Sequence, residues 1–188
     1  MKLRNKIIAS LVIALVVGAV RTHAEDPKAA ETAVEAGKRY TTLMKGDQPI
    51  KAVETFWDFP EMLQTMFGER FKASSPAERD EMKKVLLDFF RRIYSNPQIA
   101  EAMKKVTFED FVSTEKDGKT FVTFKALIGD QKLPNILIFK QIDEKWRVVD
   151  AAASNQPLLA ETFAKEYLKH ADRLTPLAFL KAMTNDAP

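Results

Sequence analysis

One late histidine, one tryptophan–aspartate pair and a few neighbouring carboxylates are the residues of this 188-residue chain that could do chemistry. His170 stands in Lys169-His170-Ala171-Asp172, just past a predicted helix, where a cation suits the negative end of the helix dipole. A Ser/His/Asp site would have to rest on it, with no Gly-x-Ser-x-Gly elbow in support. Glu109 and Asp110 are adjacent on a predicted strand, so their carboxylates should point to opposite faces and fail as an acid–base pair. Asp58 and Glu61, three apart, read as the cap and first turn of a helix. Trp146 and Asp150 are four apart on a predicted strand, which puts both on one face. Trp146 is expected to pack, and Asp150 to accept hydrogen bonds from a neighbouring helix or loop. There is no cysteine, no cluster of histidines at metal-ligand spacing, and no phosphate-cradling glycine loop. Arg91-Arg92 and Lys104-Lys105 read as solvated helix faces, with contact to a partner protein or to lipid headgroups as the other use. The expectation is a protein without catalytic residues, metal or cofactor, and not an enzyme.

The elements that hold these residues follow from periodicity. Helices are predicted over Lys28–Lys45, Ile50–Phe56, a short stretch from Asp58 to Gly68, Pro76–Ser95 and Pro97–Lys105. In the long one, Ser75 and Glu78 form a capping box with Pro76 at the first helical position. Met82, Val85, Leu86, Phe89, Phe90 and Ile93 make its apolar stripe. At Val106 the period changes to two. Strands are predicted over Val106–Glu115, Lys119–Gly129, Leu133–Ile142 and Lys145–Ala152, joined by tight turns at Asp117-Gly118, Gly129-Asp130 and Asp143-Glu144. Helices from Pro157 and from Thr175-Pro176 close the chain. Helices first, an antiparallel meander, then helices is an α+β arrangement. The middle strands carry apolar residues on both faces, as in Ile136-Leu137-Ile138-Phe139. Either helices cover both faces, or one face lines a cavity.

Residues 1–24 have the layout of a secretory signal peptide. Lys2, Arg4 and Lys6 precede a largely apolar 14-residue run, Ile7 to Val20, and small residues stand at the −3 and −1 positions of a cut after Ala24. The run is short for a membrane span, which needs about 20 residues. The whole chain has 29 basic and 26 acidic residues, net +3; the leader holds four basic and no acidic ones, leaving 25 against 26 in residues 25–188. With the excess positive charge goes any global argument for nucleic acid as partner. The expectation is a single domain over 25–188, exported to the periplasm, with a monomer favoured.

The order of elements resembles the MlaC-like (toluene-tolerance type) periplasmic phospholipid-binding family. The resembling stretches are FGERFKASSPAERDEMKKVLLDFF from Phe67 to Phe90, EKWRVVDAA from Glu144 to Ala152, and Phe163 to Met183 with its LTPLAFL segment. Ser75, Glu78, Arg79, Trp146 and Asp150 match the family's helix start and its Trp-then-Asp strand. After Asp150 the chain reads Ala151-Ala152-Ala153-Ser154-Asn155-Gln156-Pro157, where that family has a Gly-Val-Ser-like segment. The wider nuclear-transport-factor-like and cystatin-like group of helix-and-curved-sheet cones is an open alternative.

The resemblance implies a carrier that shelters lipid acyl chains between sheet and helices, serving an ABC-transporter-linked lipid transport system. Its partners would be the lipid and, transiently, complexes in the inner and outer membranes. On that reading, candidate lining residues are Val122, Phe124, Ala126, Ile136, Ile138, Val149 and Ala151 on the sheet. Phe89, Ile93, Phe163 and Tyr167 would face them from helices, and Met66 and Phe67 would form a movable rim. The alternative is a non-enzymatic accessory or interaction protein of the envelope, with the same fold and a filled core. In that case Phe56, Trp57 and Phe59 are candidates for its binding surface.

Overall fold

Side chains at the residue just before the first turn set most of the helix starts in this computed structural model, which describes residues 31–46, 48–154 and 156–184. The signal-peptide segment and residues 28–30 lie outside the described residues; Glu31 and Thr32 are not helical, so the helix expected from Lys28 starts only at Ala33, where Thr32 caps it. Helix α1 (Ala33–Lys45) begins at a capping box: Glu35 N donates to Thr32 Oγ1 at 3.2 Å, and Thr32 N donates to Glu35 Oε2 at 2.7 Å. Helix α2 (Pro49–Phe56) starts on its proline. Helix α3 (Phe59–Phe67) is capped by Asp58, which accepts from Glu61 N at 2.9 Å. Gly68, at φ 55° and ψ −131°, turns the chain into the short α4 (Glu69–Ala73), a conformation that a side chain would strain. The long α5 (Pro76–Tyr94) has the expected Ser75–Glu78 box, and Asn96 caps α6 (Pro97–Lys104).

Four strands follow: β1 (Thr107–Lys116), β2 (Lys119–Ile128), β3 (Gln131–Ile142) and β4 (Lys145–Ala153). They pair as an antiparallel meander in the order β1-β2-β3-β4. Asp117 and Gly118, both at positive φ, make the first hairpin turn, the twist that suits right-handed strands. Helices α7 (Leu159–Leu168) and α8 (Pro176–Thr184) end the described chain, with Thr175 Oγ1 accepting from Ala178 N. The fold is the α+β arrangement expected from the sequence.

Two irregularities break the period-two reading. On β1 the register shifts between Glu109 and Val112, and Asp110 takes φ 58°. Glu109 and Asp110 therefore do not sit on a regular strand as expected. Each pairs with its own lysine, Glu109 with Lys132 at 3.0 Å and Asp110 with Lys125 at 2.7 Å. On β4 the register shifts between the pairs Phe139–Val148 and Ile138–Asp150, leaving Val149 as an extra residue. That bulge places Trp146 and Asp150 on opposite faces, a correction to the one-face expectation. Trp57 adds a parallel bridge to Val148, and Asp58 N donates to Val148 O at 2.9 Å.

The core lies between one sheet face and the helices. Helix α1 crosses β1 and β2, α7 packs on α3 and β4, and α5 packs on α2, α3 and α8. Gly37 of α1 makes the closest approach: a Cβ there would stand 3.2 Å from Val122 Cγ1.

Candidate functional site

The register decides which candidate residues meet. Val122, Phe124 and Ala126 alternate along β2, opposite Leu137, Asn135 and Leu133 of β3. Leu137 and Asn135 in turn lie opposite Ala151 and Ala153 of β4. These residues form one face, the one against the helices, since Gly37 meets Val122 and Phe139 there. Ile136 and Ile138 fall between Asn135, Leu137 and Phe139, so they point to the other face. This corrects their grouping with Val122, Phe124 and Ala126 as one lining. Val149, at the bulge, has no cross-strand partner. Ile136 is half-buried, whereas Ile138 and Val149 are buried.

From the helices, Phe89 and Ile93 are buried on α5, Met66 and Phe67 on α3, and Phe163 and Tyr167 on α7. Met66 and Phe67, expected at a movable rim, are instead packed in the core. The Phe67 ring meets Tyr167 edge-on with centroids 4.9 Å apart, and Phe179 of α8 at 6.2 Å. Phe179 also contacts Phe163 and Tyr167, so it is the hub of this cluster. It sits in the LTPLAFL segment, but nothing in that segment's spacing sets it apart from its neighbours as a hub. Arg70 of α4 closes the cluster from outside. Its guanidinium donates to Tyr167 Oη at 3.0 Å and to the carbonyl of Ala171, and lies 5.7 Å from the Tyr167 ring centroid.

A second aromatic group surrounds Trp57. Its ring packs on Phe59 and Phe90, and its Nε1 donates to Tyr40 Oη at 3.2 Å. Burial pushes the Tyr40 and Tyr94 hydroxyls well above the usual tyrosine range. Phe56, Trp57 and Phe59 are all buried, at 7% exposure or less. They are therefore core side chains, which corrects their reading as a binding surface.

Asp150 has a structural task. Its Oδ1 accepts from Ala151 N at 2.8 Å and from Ala160 N at 2.9 Å. Ala160 is in the first turn of α7, and Leu158, the residue at the cap position, offers no side-chain acceptor. The sheet thus supplies the cap that the helix lacks. Burial pushes the Asp150 carboxyl up to about 6, against the pull of those two N–H groups. Trp146 packs on the core and donates from Nε1 to Glu31 O at 2.7 Å. His170 lies 3.5 Å from Glu166 and beside the Phe179 ring. Among the described residues, no three His, Cys, Asp or Glu side chains converge to hold a metal ion.

Surface grooves lie elsewhere. One of about 290 Å³ runs between Met44, Ile50, Tyr94 and Met103. Another, about 360 Å³, has Leu63 and Phe71 as its floor and Arg79 and Lys83 at its edge. What the central arrangement offers chemically is a continuous apolar layer, with Asn135 as a polar point within its sheet side.

No protein-family model and no curated protein matches the chain. Among solved structures, it is similar to a phospholipid-binding protein from Ralstonia solanacearum, solved in complex with a phospholipid, at a TM-score of 0.62 and 15% identity. The match covers 81% of this chain and 94% of that one. What the two chains share, at that identity, is the packing of helices on an antiparallel meander.

Proposed function

We propose that this protein is a periplasmic lipid carrier that takes up acyl chains between the sheet and the helices. The observation that carries the reading is the fold, shared over nearly the full length of a protein solved with a phospholipid bound. The apolar layer from Val122, Phe124, Ala126 and Ala151 to Phe89, Phe163 and Tyr167 supports it. The physical need is plain. Each methylene left in water costs about 0.8 kcal/mol, so a 16-carbon chain costs on the order of 12 kcal/mol. A carrier that moves through water must hide most of that surface. The proposal includes export by residues 1–24, transient contact with inner- and outer-membrane transport complexes, linkage to an ABC transporter, and no chemical step.

The packing supports a second reading, an accessory protein of the envelope with a filled core. Of the 13 candidate lining residues, Ile136 alone is not buried. Native mass spectrometry of the protein, purified without detergent from periplasmic expression, separates the two. A bound mass released as lipid on denaturation supports the carrier. A bare polypeptide that takes up nothing from phospholipid vesicles supports the accessory protein. Ala126 is fully buried on the sheet face, so Ala126→Trp should abolish lipid loading in a carrier. Loading at wild-type stoichiometry in that variant would show that the layer is not the site.

A further inference from the structure

Asn135 is 1% exposed, on the helix-facing side of β3, directly across from Phe124 and Ala153. Its Nδ2 donates to Leu133 O at 2.8 Å. That carbonyl only accepts, so the amide nitrogen is fixed on it and the oxygen faces the other way. Asn135 Oδ1 is buried with no partner among the described residues, and so is the hydroxyl of Ser154, the residue after Ala153. A buried acceptor without a donor is costly, and native proteins rarely keep one without a use. The side chains around it are short. Ala153 lies opposite Asn135, and Ala126 and Ala151 sit at the diagonal positions, so on three of its cross-strand sides the face stops at Cβ.

We propose that Asn135 is the polar anchor of the lipid site, its Oδ1 accepting from the free glycerol hydroxyl of a monoacyl glycerophospholipid. The proposal rests on the carrier reading and narrows its ligand class. The junction of acyl chain and headgroup in a diacyl lipid presents two ester groups, which accept and do not donate. An ionised fatty acid likewise only accepts. A monoacyl lipid presents one ester and one hydroxyl, so it brings the donor that Oδ1 lacks.

The test compares uptake of 1-palmitoyl-phosphatidylcholine with a free 2-hydroxyl, kept below its micelle-forming concentration, with uptake of its 2-O-methyl ether, which has the same single chain and a headgroup without donors. Both are read by native mass spectrometry and by displacement of a fluorescent fatty acid. Wild type should bind the lipid with the free hydroxyl about tenfold more tightly than the ether, the worth of one hydrogen bond in a water-excluded site. Asn135→Thr keeps an oxygen and should keep the preference. Asn135→Val, matched to it in shape, should lose the preference while still binding the methyl ether. Equal binding by wild type, or a preference that survives in Asn135→Val, overturns the anchor and leaves the carrier reading standing. Uptake of neither lipid by wild type overturns both. The wild-type comparison needs no variant, so a failure of Asn135→Val to fold does not rescue the proposal.

Discussion

Helices α1 and α7 both lie against the sheet, but different chemistry holds them. Helix α1 carries its own capping box and comes so close to β2 that a Cβ on Gly37 would press on Val122. Its seat is a matter of shape. Helix α7 has no side-chain cap of its own and is tied at both ends by groups from elsewhere. At its start Asp150 of β4 accepts from Ala160 N. At its end Arg70 of α4 holds Tyr167 and the Ala171 carbonyl. Close packing yields only when the core is disrupted, whereas a polar tie can be exchanged for water. Opening the apolar layer at α7 would exchange these ties for water and would also part Phe163 and Tyr167 from Phe67 and Phe179.

The largest way to break this contrast is to overfill the α1 seat. Gly37→Val should destabilise the protein by about 3 kcal/mol, since its branches must displace Val122 or Phe139. Urea unfolding would measure it, and a loss under about 1 kcal/mol would mean that α1 is as adjustable as α7. The second test is pH. Asp150 has a folded-state value of about 6, above the ordinary unfolded value near 4. Its protonated form is therefore favoured by folding. The stability it contributes is full below about pH 4 and is lost as pH rises through 6, an effect of roughly 3 kcal/mol. Asp150→Asn should flatten that part of the stability–pH curve. An unchanged slope in the variant would show that other groups set it.

Smaller effects sharpen the comparison further. Asp150→Ala, measured at pH 5, should cost about 1–2 kcal/mol by removing the remote cap. Hydrogen exchange should then quicken in the first turn of α7 and stay unchanged in α1. Faster exchange throughout the molecule would point to a general loss of stability instead. Smallest in stability is Arg70→Ala, below about 1 kcal/mol because the guanidinium is exposed. If α7 is the moving wall of a lipid carrier, this variant should load lipid from vesicles faster than wild type. Slower or unchanged loading would place the opening elsewhere.

What the sequence made legible was local. Ser75 with Glu78, Asp58 with Glu61, and Thr175 before Pro176 are patterns within four residues, and the structure places each at its helix start. The Thr32–Glu35 box has the same signature and stands inside the helix expected from Lys28. The four strands and their turns were legible for the same reason, since alternation and turn residues are also short-range. Face assignment on β3 and β4 was not. A bulge such as the one at Val149 has no residue signature, yet it inverts every side-chain direction beyond it. It separates Trp146 from Asp150. The grouping of Ile136 and Ile138 with Val122 failed for a related reason, because pairing register is set by the hairpin turn and not by composition. The roles of Asp150, Asn135 and Phe179 depend on partners brought in by tertiary structure, and no spacing along the chain announces them.

The bridge between Trp57 and Val148 has a consequence for how the molecule meets its own copies. A strand at the margin of a sheet offers unpaired amides and carbonyls that invite another chain to add on, the first step toward fibrils. Trp57 and Asp58 occupy part of that row along β4. At the opposite margin, the bulge at Asp110 and the ion pairs of Glu109 and Asp110 with Lys132 and Lys125 disturb the flat template that β1 would otherwise present. The meander is thus guarded on both sides against growing by strand addition.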